Sequence, residues 1–257
     1  MKEKRTLGAI VLAAGRGKRM NAKGMNKVTL FLADKPIILH AIELLEKTNL
    51  KHIVIVVGFA KQSVINIIKN PHVIFAEQRK RLGTGHAVRS GLEKIPPGVT
   101  DVLVIQGDDS FFYRESIISE LVKKHLASDA SVTFLTIHVN NPFGLGRIMR
   151  DSSGKVLAVV EEKDATDAER KINEINPACY IFKSDFLKKY LPKIKKSPVT
   201  GEFYLTRLID IAIENKESIE TMRAGFLPWR GVNTKEELEE AERLYREHNG
   251  RKQDYVK

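Results

Sequence analysis

The chain has one cysteine, Cys179, in 257 residues, so it cannot close an internal disulfide, and a reducing compartment is the expectation. Cys179 stands in an apolar run, which suits a small buried side chain better than a nucleophile. No run of about 18 apolar residues occurs, so no membrane-spanning helix is expected. Met1 to Arg5 offers none of the apolar character of a secretory leader, and cytoplasmic location is the default. Internal repeats and low-complexity segments are lacking too. Hydrophobic residues at 42% and charged residues at 29% exclude a disordered chain and fit a globular one. Acidic residues are outnumbered by basic ones, 32 against 43, for a net charge of +11. Such an excess is compatible with nucleic acid, a membrane surface or small anions. Here the cations are spread along the chain in short clusters (Lys2 to Arg5, Arg79 to Arg81, Lys193 to Lys196), and nothing resembles a nucleic-acid-binding module. Small anions are therefore the expected partners, with neither nucleic acid nor a membrane.

What is present begins at Leu7. The run to Ala14 is short, continuous and rich in branched residues, which predicts a buried strand. It ends at Gly15, and Gly17 follows. Glycine lets a backbone turn sharply and approach a ligand closely, and successive N–H groups in such a turn make an anion-binding concavity. Arg16, Lys18, Arg19 and Lys27 add four cations nearby. A dinucleotide fingerprint would need glycine where Met20 stands, and the G-K-[S/T] of a P-loop is absent. The residues themselves allow either a polyphosphate cradle or an ordinary strand–loop turn with solvated lysines.

Further along, strands are predicted at His52 to Gly58, His72 to Ala76, Asp101 to Gly107 and Ala130 to Val139. Helices alternate with them, from Lys35-Pro36 onward, at Ala60 to Lys69, Thr84 to Lys94 and Arg114 to Ala127. This alternation implies an α/β fold with a Rossmann-like, mostly parallel sheet flanked by helices. The pattern then changes to β segments at Gly146 to Met149, Val156 to Glu161 and Ile172 to Phe182, read as a small mixed region laid over the carboxyl ends of the sheet. Helices at Ser184 to Tyr190 and Tyr204 to Ile213, a strand at Ile219 to Ala224 and a last helix opened by a Thr234-x-x-Glu237 capping box complete the chain. Glu239–Arg243 and Glu242–Arg246 are expected as i,i+4 pairs on that helix, and the residues after His248 as a frayed tail. The whole, 1–257, is read as a single domain. Its nucleotide-binding part covers about 7–130, its sugar-phosphate part about 131–233, and its C-terminal helix about 234–248.

Ligands of open parallel sheets sit beyond the carboxyl ends of the strands. Three polar groups fall at such ends: the glycine loop, Glu77-Gln78 and Gly107-Asp108-Asp109. Asp108, at the tip of an apolar strand, suits a hard cation such as Mg²⁺, or caps the next helix. Gln78 can pair with a nucleobase edge, while Leu82-Gly-Thr-Gly-His-Ala87 reads either as a close-approach loop or as a plain loop and N-cap. His86 fits helix packing.

Taken together, the motifs carry a resemblance. L-A-A-G-x-G-x-R-M at 12–20, A-E-Q then L-G-T-G-H-A, G-D at 107–108, G-R-I at 146–148, V-E-x-K-D-A-T at 160–166, E-I-N at 174–176, G-E-F-Y-L-T at 201–206 and G-V-N at 231–233 occur in the order and rough spacing of one family. The chain resembles the nucleotidyltransferases that join a nucleoside triphosphate to a sugar phosphate. It is most similar to the uridylyltransferase domain of bacterial N-acetylglucosamine-1-phosphate uridylyltransferase, over residues 7 to 245. The resemblance implies UTP, a sugar 1-phosphate and Mg²⁺. Leu12, Ala13, Ala14 and Gly15 would hold the nucleotide through backbone atoms, with Gly17 a further nucleotide-binding residue. Gln78, Gly83 and Thr84 would recognise the base, and Arg19 and Lys27 would act as catalytic cations. Asp108 and Asn233 would ligate the metal, and Gly146, Glu161, Asn176 and Thr206 would hold the sugar phosphate. The bland readings stay open for Glu161, in a charge run, and for Asn233, before a helix. A different base or sugar or alcohol phosphate (dTTP or CTP in place of UTP), or a non-catalytic nucleotide-binding domain, are the alternatives.

The chain departs from that family at Arg79-Lys-Arg81, three extra residues beside Gln78, and at Pro177-Ala178, where Thr-Gly is usual. It departs again at Asp109-Ser110, where an apolar residue and proline are usual, and at Trp229-Arg230, where an acidic residue is common. Without hexapeptide repeats, neither acetyl transfer nor the trimer that depends on them is expected.

Overall fold

Alternate residues of the first strand enter opposite cores, because the sheet is covered on both faces, and this is why its sequence is apolar without a break. In β1 (Leu7–Ala13), Ala9, Val11 and Ala13 pack with Ile38, Ala41 and Leu45 of α1 (Ile37–Lys47) and with Ile118 and Leu121 of α4 (Glu115–Ser128). Ile10 and Leu12 face the other core, with Val88 of α3 (Thr84–Leu92), Leu187 of α6 (Ser184–Tyr190) and Leu208 of α7 (Arg207–Glu214). The structure, a computed structural model, describes residues 5–17, 20, 24–48, 50, 52–226 and 231–250, with 225–226 and 248–250 described by backbone alone.

Among the described residues ten strands form one sheet. Four are parallel neighbours: β5 (Val73–Glu77), β4 (His52–Val57), β1 and β6 (Asp101–Gln106). The order continues through β11 (Tyr180–Lys183), β7 (Val132–His138), β10 (Glu174–Asn176), β8 (Gly146–Arg150) and β9 (Val156–Val160), all antiparallel, while β12 (Ile219–Phe226) runs parallel to β7. The sugar-phosphate region expected to lie over the sheet is thus a continuation of it.

The predicted β segment from Ile172 to Phe182 is divided. Its first half, β10, pairs with β7 and β8; its second half, β11, pairs with β7 and β6. The break falls at 177–179. Pro177 has no N–H to give a ladder, and Ala178 takes a left-handed backbone, φ 55°. The Tyr113 hydroxyl donates to the Pro177 carbonyl at 2.7 Å and fixes the break. As a result β6 and β8 diverge from a shared neighbour, opening a cleft between the parallel strands and the antiparallel ones.

The predicted helix at Tyr204 to Ile213 starts three residues later, at Arg207. Phe203 N donates to Leu82 O (2.7 Å) and Leu205 N to Thr84 Oγ1 (2.9 Å), so 203–206 are held as cleft wall instead. On α8 (Lys235–Gly250), Arg246 pairs with Glu242 as expected, but Arg243 forks between Glu240 and Glu247 rather than reaching Glu239. Of the tail expected to fray after His248, the helix backbone continues to Gly250 and residues 251–257 lie outside the described residues.

Candidate active site

The glycine loop follows β1, Phe59 follows β4, Gln78 follows β5 and Asp108 follows β6, so four parallel carboxyl ends deliver their next residues to one edge. The glycine loop, Gln78 and Asp108 line a cleft of about 490 Å³ whose walls include Leu12, Ala13, Ala14, Gly15, Gly17, Gln78, Gly83 and Thr84. A second space of about 310 Å³ adjoins it, sharing Lys27, Thr84, Gln106 and Asp108, and is walled by Gly146, Glu161, Asn176, Thr206 and Asn233. Every site residue expected from the sequence therefore stands on one continuous cavity, with the exception of Arg19, which lies outside the described residues. Glu77 does not join them; it is exposed and pairs with Lys61 at 2.8 Å.

Two glycines are required by local geometry. Gly17 has φ 56°, and a Cβ there would come within 3.1 Å of Lys27 Cβ. At Gly83, φ 103°, a Cβ would meet Phe203 O at 2.6 Å. Gly85 N donates to the same carbonyl at 2.8 Å, so the loop carrying Gly83 and Thr84 is seated against the segment that carries Thr206.

Asn26 escaped the sequence reading. It is wholly buried, and its amide donates to Ala13 O (2.9 Å), Gly15 O (3.3 Å) and Phe59 O (2.9 Å), while its Oδ1 accepts from Val28 N (3.2 Å). One side chain thus ties the ends of β1 and β4 to the turn that presents Lys27. An Asn at the N-cap of a short turn was the available signal.

Lys27 lies where the two spaces meet. Its ammonium forms an ion pair with Asp108 and donates to Asn233 Oδ1 and Val232 O, each at 3.0 Å. An ammonium has three donors, so all are committed. Asn233 is positioned from α8: Glu237 N donates to Thr234 Oγ1 (3.2 Å) and the Glu237 carboxylate accepts from Asn233 N (2.7 Å), a capping box displaced by one residue. Val232 is buried in the core beneath it. Neither Asp108 nor Asp109 caps the short turn Ser110–Phe112 that comes next.

Asp108 and Asn233 turn two oxygens toward one cation, and the lysine ammonium shows that this donor set accepts positive charge. Among the described residues no group of three or more His, Cys, Asp or Glu side chains converges. A hard cation held there would take its remaining ligands from water and phosphate, as Mg²⁺ commonly does.

Asp109 is only 7% exposed, and its Oδ1 is buried without a hydrogen-bond partner among the described residues. Burial, then the Asp108 charge, push its carboxyl well above the usual range. An unsatisfied buried carboxyl costs about 1–3 kcal/mol. Asp109→Val is expected to stabilise the ligand-free protein by an amount of that order, read as a higher midpoint in urea unfolding.

Across the cavity, Thr206 donates its hydroxyl to Glu161 Oε1 at 2.8 Å. Burial pushes the Glu161 carboxyl up against that bond. Asn176 accepts from Ala178 N (3.1 Å) and donates to the Tyr180 hydroxyl, so the Pro177-Ala178 substitution leaves its amide held in the wall. Gln78 spends both amide hydrogens inside the protein, on Gly83 O and His86 Nδ1, each at 3.0 Å. His86 therefore orients Gln78 as well as packing its helix. Cys179 is buried, and burial drives its thiol far up, which removes it as a nucleophile.

Residues 8–248 match the family model described as nucleotidyl transferase. The chain belongs to that family. It is 40% identical over 215 residues to the bifunctional protein GlmU of Carboxydothermus hydrogenoformans, covering 83% of this chain and 47% of that one. It is also 35% identical over 246 residues to the protein of the same name from Syntrophomonas wolfei, covering 95% and 54%. The chain thus spans about half the length of the curated relatives it matches. A crystal structure of a Bacillus anthracis protein assigned as a glucose-1-phosphate thymidylyltransferase, in complex with a sucrose, superposes with a TM-score of 0.79. It covers 94% of this chain and 96% of that one at 21% identity, a likeness of fold. The expected α/β architecture is borne out. No helix among the described residues is long and apolar enough to cross a membrane.

Proposed function

We propose that this nucleotidyltransferase is a cytoplasmic uridylyltransferase. It joins UTP to N-acetylglucosamine 1-phosphate, forming UDP-N-acetylglucosamine and pyrophosphate. The observation that carries the reading is the continuity of the two spaces through Lys27, Asp108 and Asn233. A nucleotide held by the glycine loop and a sugar phosphate held near Glu161 and Asn176 would meet at that junction. The ordered motifs shared with the uridylyltransferase domain support the choice of substrates.

A phosphate oxygen of the sugar phosphate would attack the α-phosphorus in line. The new P–O bond would form as the bond to the bridging oxygen breaks, and pyrophosphate would leave with that electron pair. The attacking oxygen is already ionised near neutrality, so no strong base is needed. The rate would come from positioning and from cations aimed at the moving charge. Lys27 would reach a phosphate oxygen by exchanging one of its three present partners for it, with Arg19 as the second cation. Asp108 and Asn233 would hold Mg²⁺, which when bound neutralises triphosphate charge. Glu161, held by Thr206, would orient the sugar.

Pyrophosphate release measured over a panel of UTP, dTTP and CTP against several sugar and alcohol phosphates tests the reading. The expected result is release with UTP and N-acetylglucosamine 1-phosphate well above every other pair. A faster different pair would reassign the substrates, and tight nucleotide binding with no release from any pair would replace the enzyme by a binding domain.

A further inference from the structure

Two carboxylates follow β6 in succession, and only the first has a partner. Asp108 pairs with the Lys27 ammonium. Asp109 is 7% exposed, its Oδ1 meets no donor, and it forms no ion pair among the described residues. It stands at the N-cap of the turn Ser110–Phe112, yet its side chain accepts none of the turn's N–H groups. The tasks that ordinarily hold an aspartate at such a junction, capping and charge pairing, are both left undone.

Buried polar groups in folded proteins are almost all satisfied, so an orphan of this kind calls for an explanation. Its position supplies one. Asp109 lines the same 310 Å³ space as Asp108 and Asn233, whose oxygens already hold a positive charge, the Lys27 ammonium. All three hydrogens of that ammonium are committed, to Asp108, Asn233 and Val232. Among the described residues no other Lys or Arg lines that space. One ammonium therefore answers one carboxylate and leaves the second without a counter-charge. A hard divalent cation takes several oxygen ligands at once and carries charge for both. Binding to the folded state alone would also return the stability that the orphan costs the empty protein.

We propose that Asp109 is a third protein ligand of the divalent cation held by Asp108 and Asn233, so that this site takes up a metal ion without a nucleotide and frees the Lys27 ammonium for phosphate. The inference rests on the metal reading of Asp108 and Asn233. It adds to them a carboxylate at one of the positions where the chain departs from its family, Asp109-Ser110. The same residue that weakens the empty protein would then strengthen the loaded one.

Titration of nucleotide-free wild type, Asp109→Asn and Asp108→Asn with Mn²⁺, followed by the loss of the free ion's paramagnetic resonance signal, tests this. Removing one charged ligand is expected to weaken Mn²⁺ by about tenfold in Asp109→Asn, with circular dichroism as the check on folding. Asp109→Val supplies an independent reading. It should melt above wild type without metal, yet gain less than wild type when Mg²⁺ is added. A purely structural Asp109 would move the first melt and leave the metal-dependent gain alone. Wild-type Mn²⁺ affinity in Asp109→Asn would overturn the proposal, as would the lack of saturable binding to wild type. If Asp108→Asn alone abolished binding, Asp109 would lose its role while the site at Asp108 and Asn233 stood. If neither substitution mattered, both readings would fall.

Discussion

Lys27→Ala is expected to lower turnover by about a hundredfold or more, the range seen when one preorganised charge donor is removed from a polar site. The loss should fall on kcat more than on KM, because the ammonium is aimed at charge that moves during the reaction. The same change leaves Asp108 without its ion pair beside the buried Asp109. The ligand-free variant should therefore also unfold more easily. Adding Mg²⁺ should restore part of that stability, since a cation held by Asp108 and Asn233 would replace the missing charge. Steady-state kinetics of pyrophosphate release, together with thermal melts with and without Mg²⁺, separate the two effects. Turnover like that of wild type would remove Lys27 from the chemistry altogether.

Asp101→Asn should cost stability at a distance from the cleft. Asp101 begins β6, at the end of the strand away from Asp108, and is wholly buried. It accepts from Arg5 Nε (2.8 Å) and Thr100 Oγ1 (2.7 Å) and lies 3.0 Å from His125 Nε2, whose Nδ1 is 2.8 Å from Thr133 Oγ1. Burial opposes its ionisation, but the hydrogen bonds from His125, Arg5 and Thr100 outweigh burial and hold the carboxyl far below the usual range. Removing one partner of such a buried set costs about 3–5 kcal/mol. A carboxyl depressed on folding contributes its stability in full above its ordinary value of 3.8, and loses that contribution as pH falls below it. The gap between wild type and Asp101→Asn should therefore be constant near neutrality and narrow below pH about 4. Urea unfolding at several pH values reads it directly; a gap of less than about 1 kcal/mol at pH 7 would mean the network contributes little.

These two residues mark how far the sequence could be read. Lys27 and Asp108 were legible because each follows a local pattern: a glycine turn after an apolar run, and a carboxylate at a strand tip. The same holds for β1, β4 and β6, whose unbroken apolar runs reflect burial on both faces. Asp101 gave no such sign, since His125 and Arg5, which hold it together with the adjacent Thr100, lie 24 and 96 residues away in the chain. The commitment of Lys27 to Asn233 was illegible for the same reason, with 206 residues between them. The helix expected from Tyr204 is entered instead through tight turns: the N–H groups of Arg207, Leu208 and Ile209 return to the carbonyls of Tyr204, Leu205 and Thr206, while Phe203 N and Leu205 N are taken by Leu82 and Thr84. The break at 177–179 was half legible. Pro177 announced an irregularity, but only the pairing of both flanks with β7 shows that one interrupted strand serves two neighbours.

That interrupted strand also bears on dissection of the protein. A fragment ending near residue 130 would retain the glycine loop, Gln78 and Asp108, and so the outline of a nucleotide cleft. It would lack residues 180–183, which cover the flank of β6. The strand left bare, with Val102, Leu103, Val104 and Ile105 fully buried in the intact molecule, would become an apolar edge open to pairing with other chains. Excising the first half should therefore yield aggregate in place of a free-standing nucleotide binder, because residues far along the chain complete the sheet on which it is built.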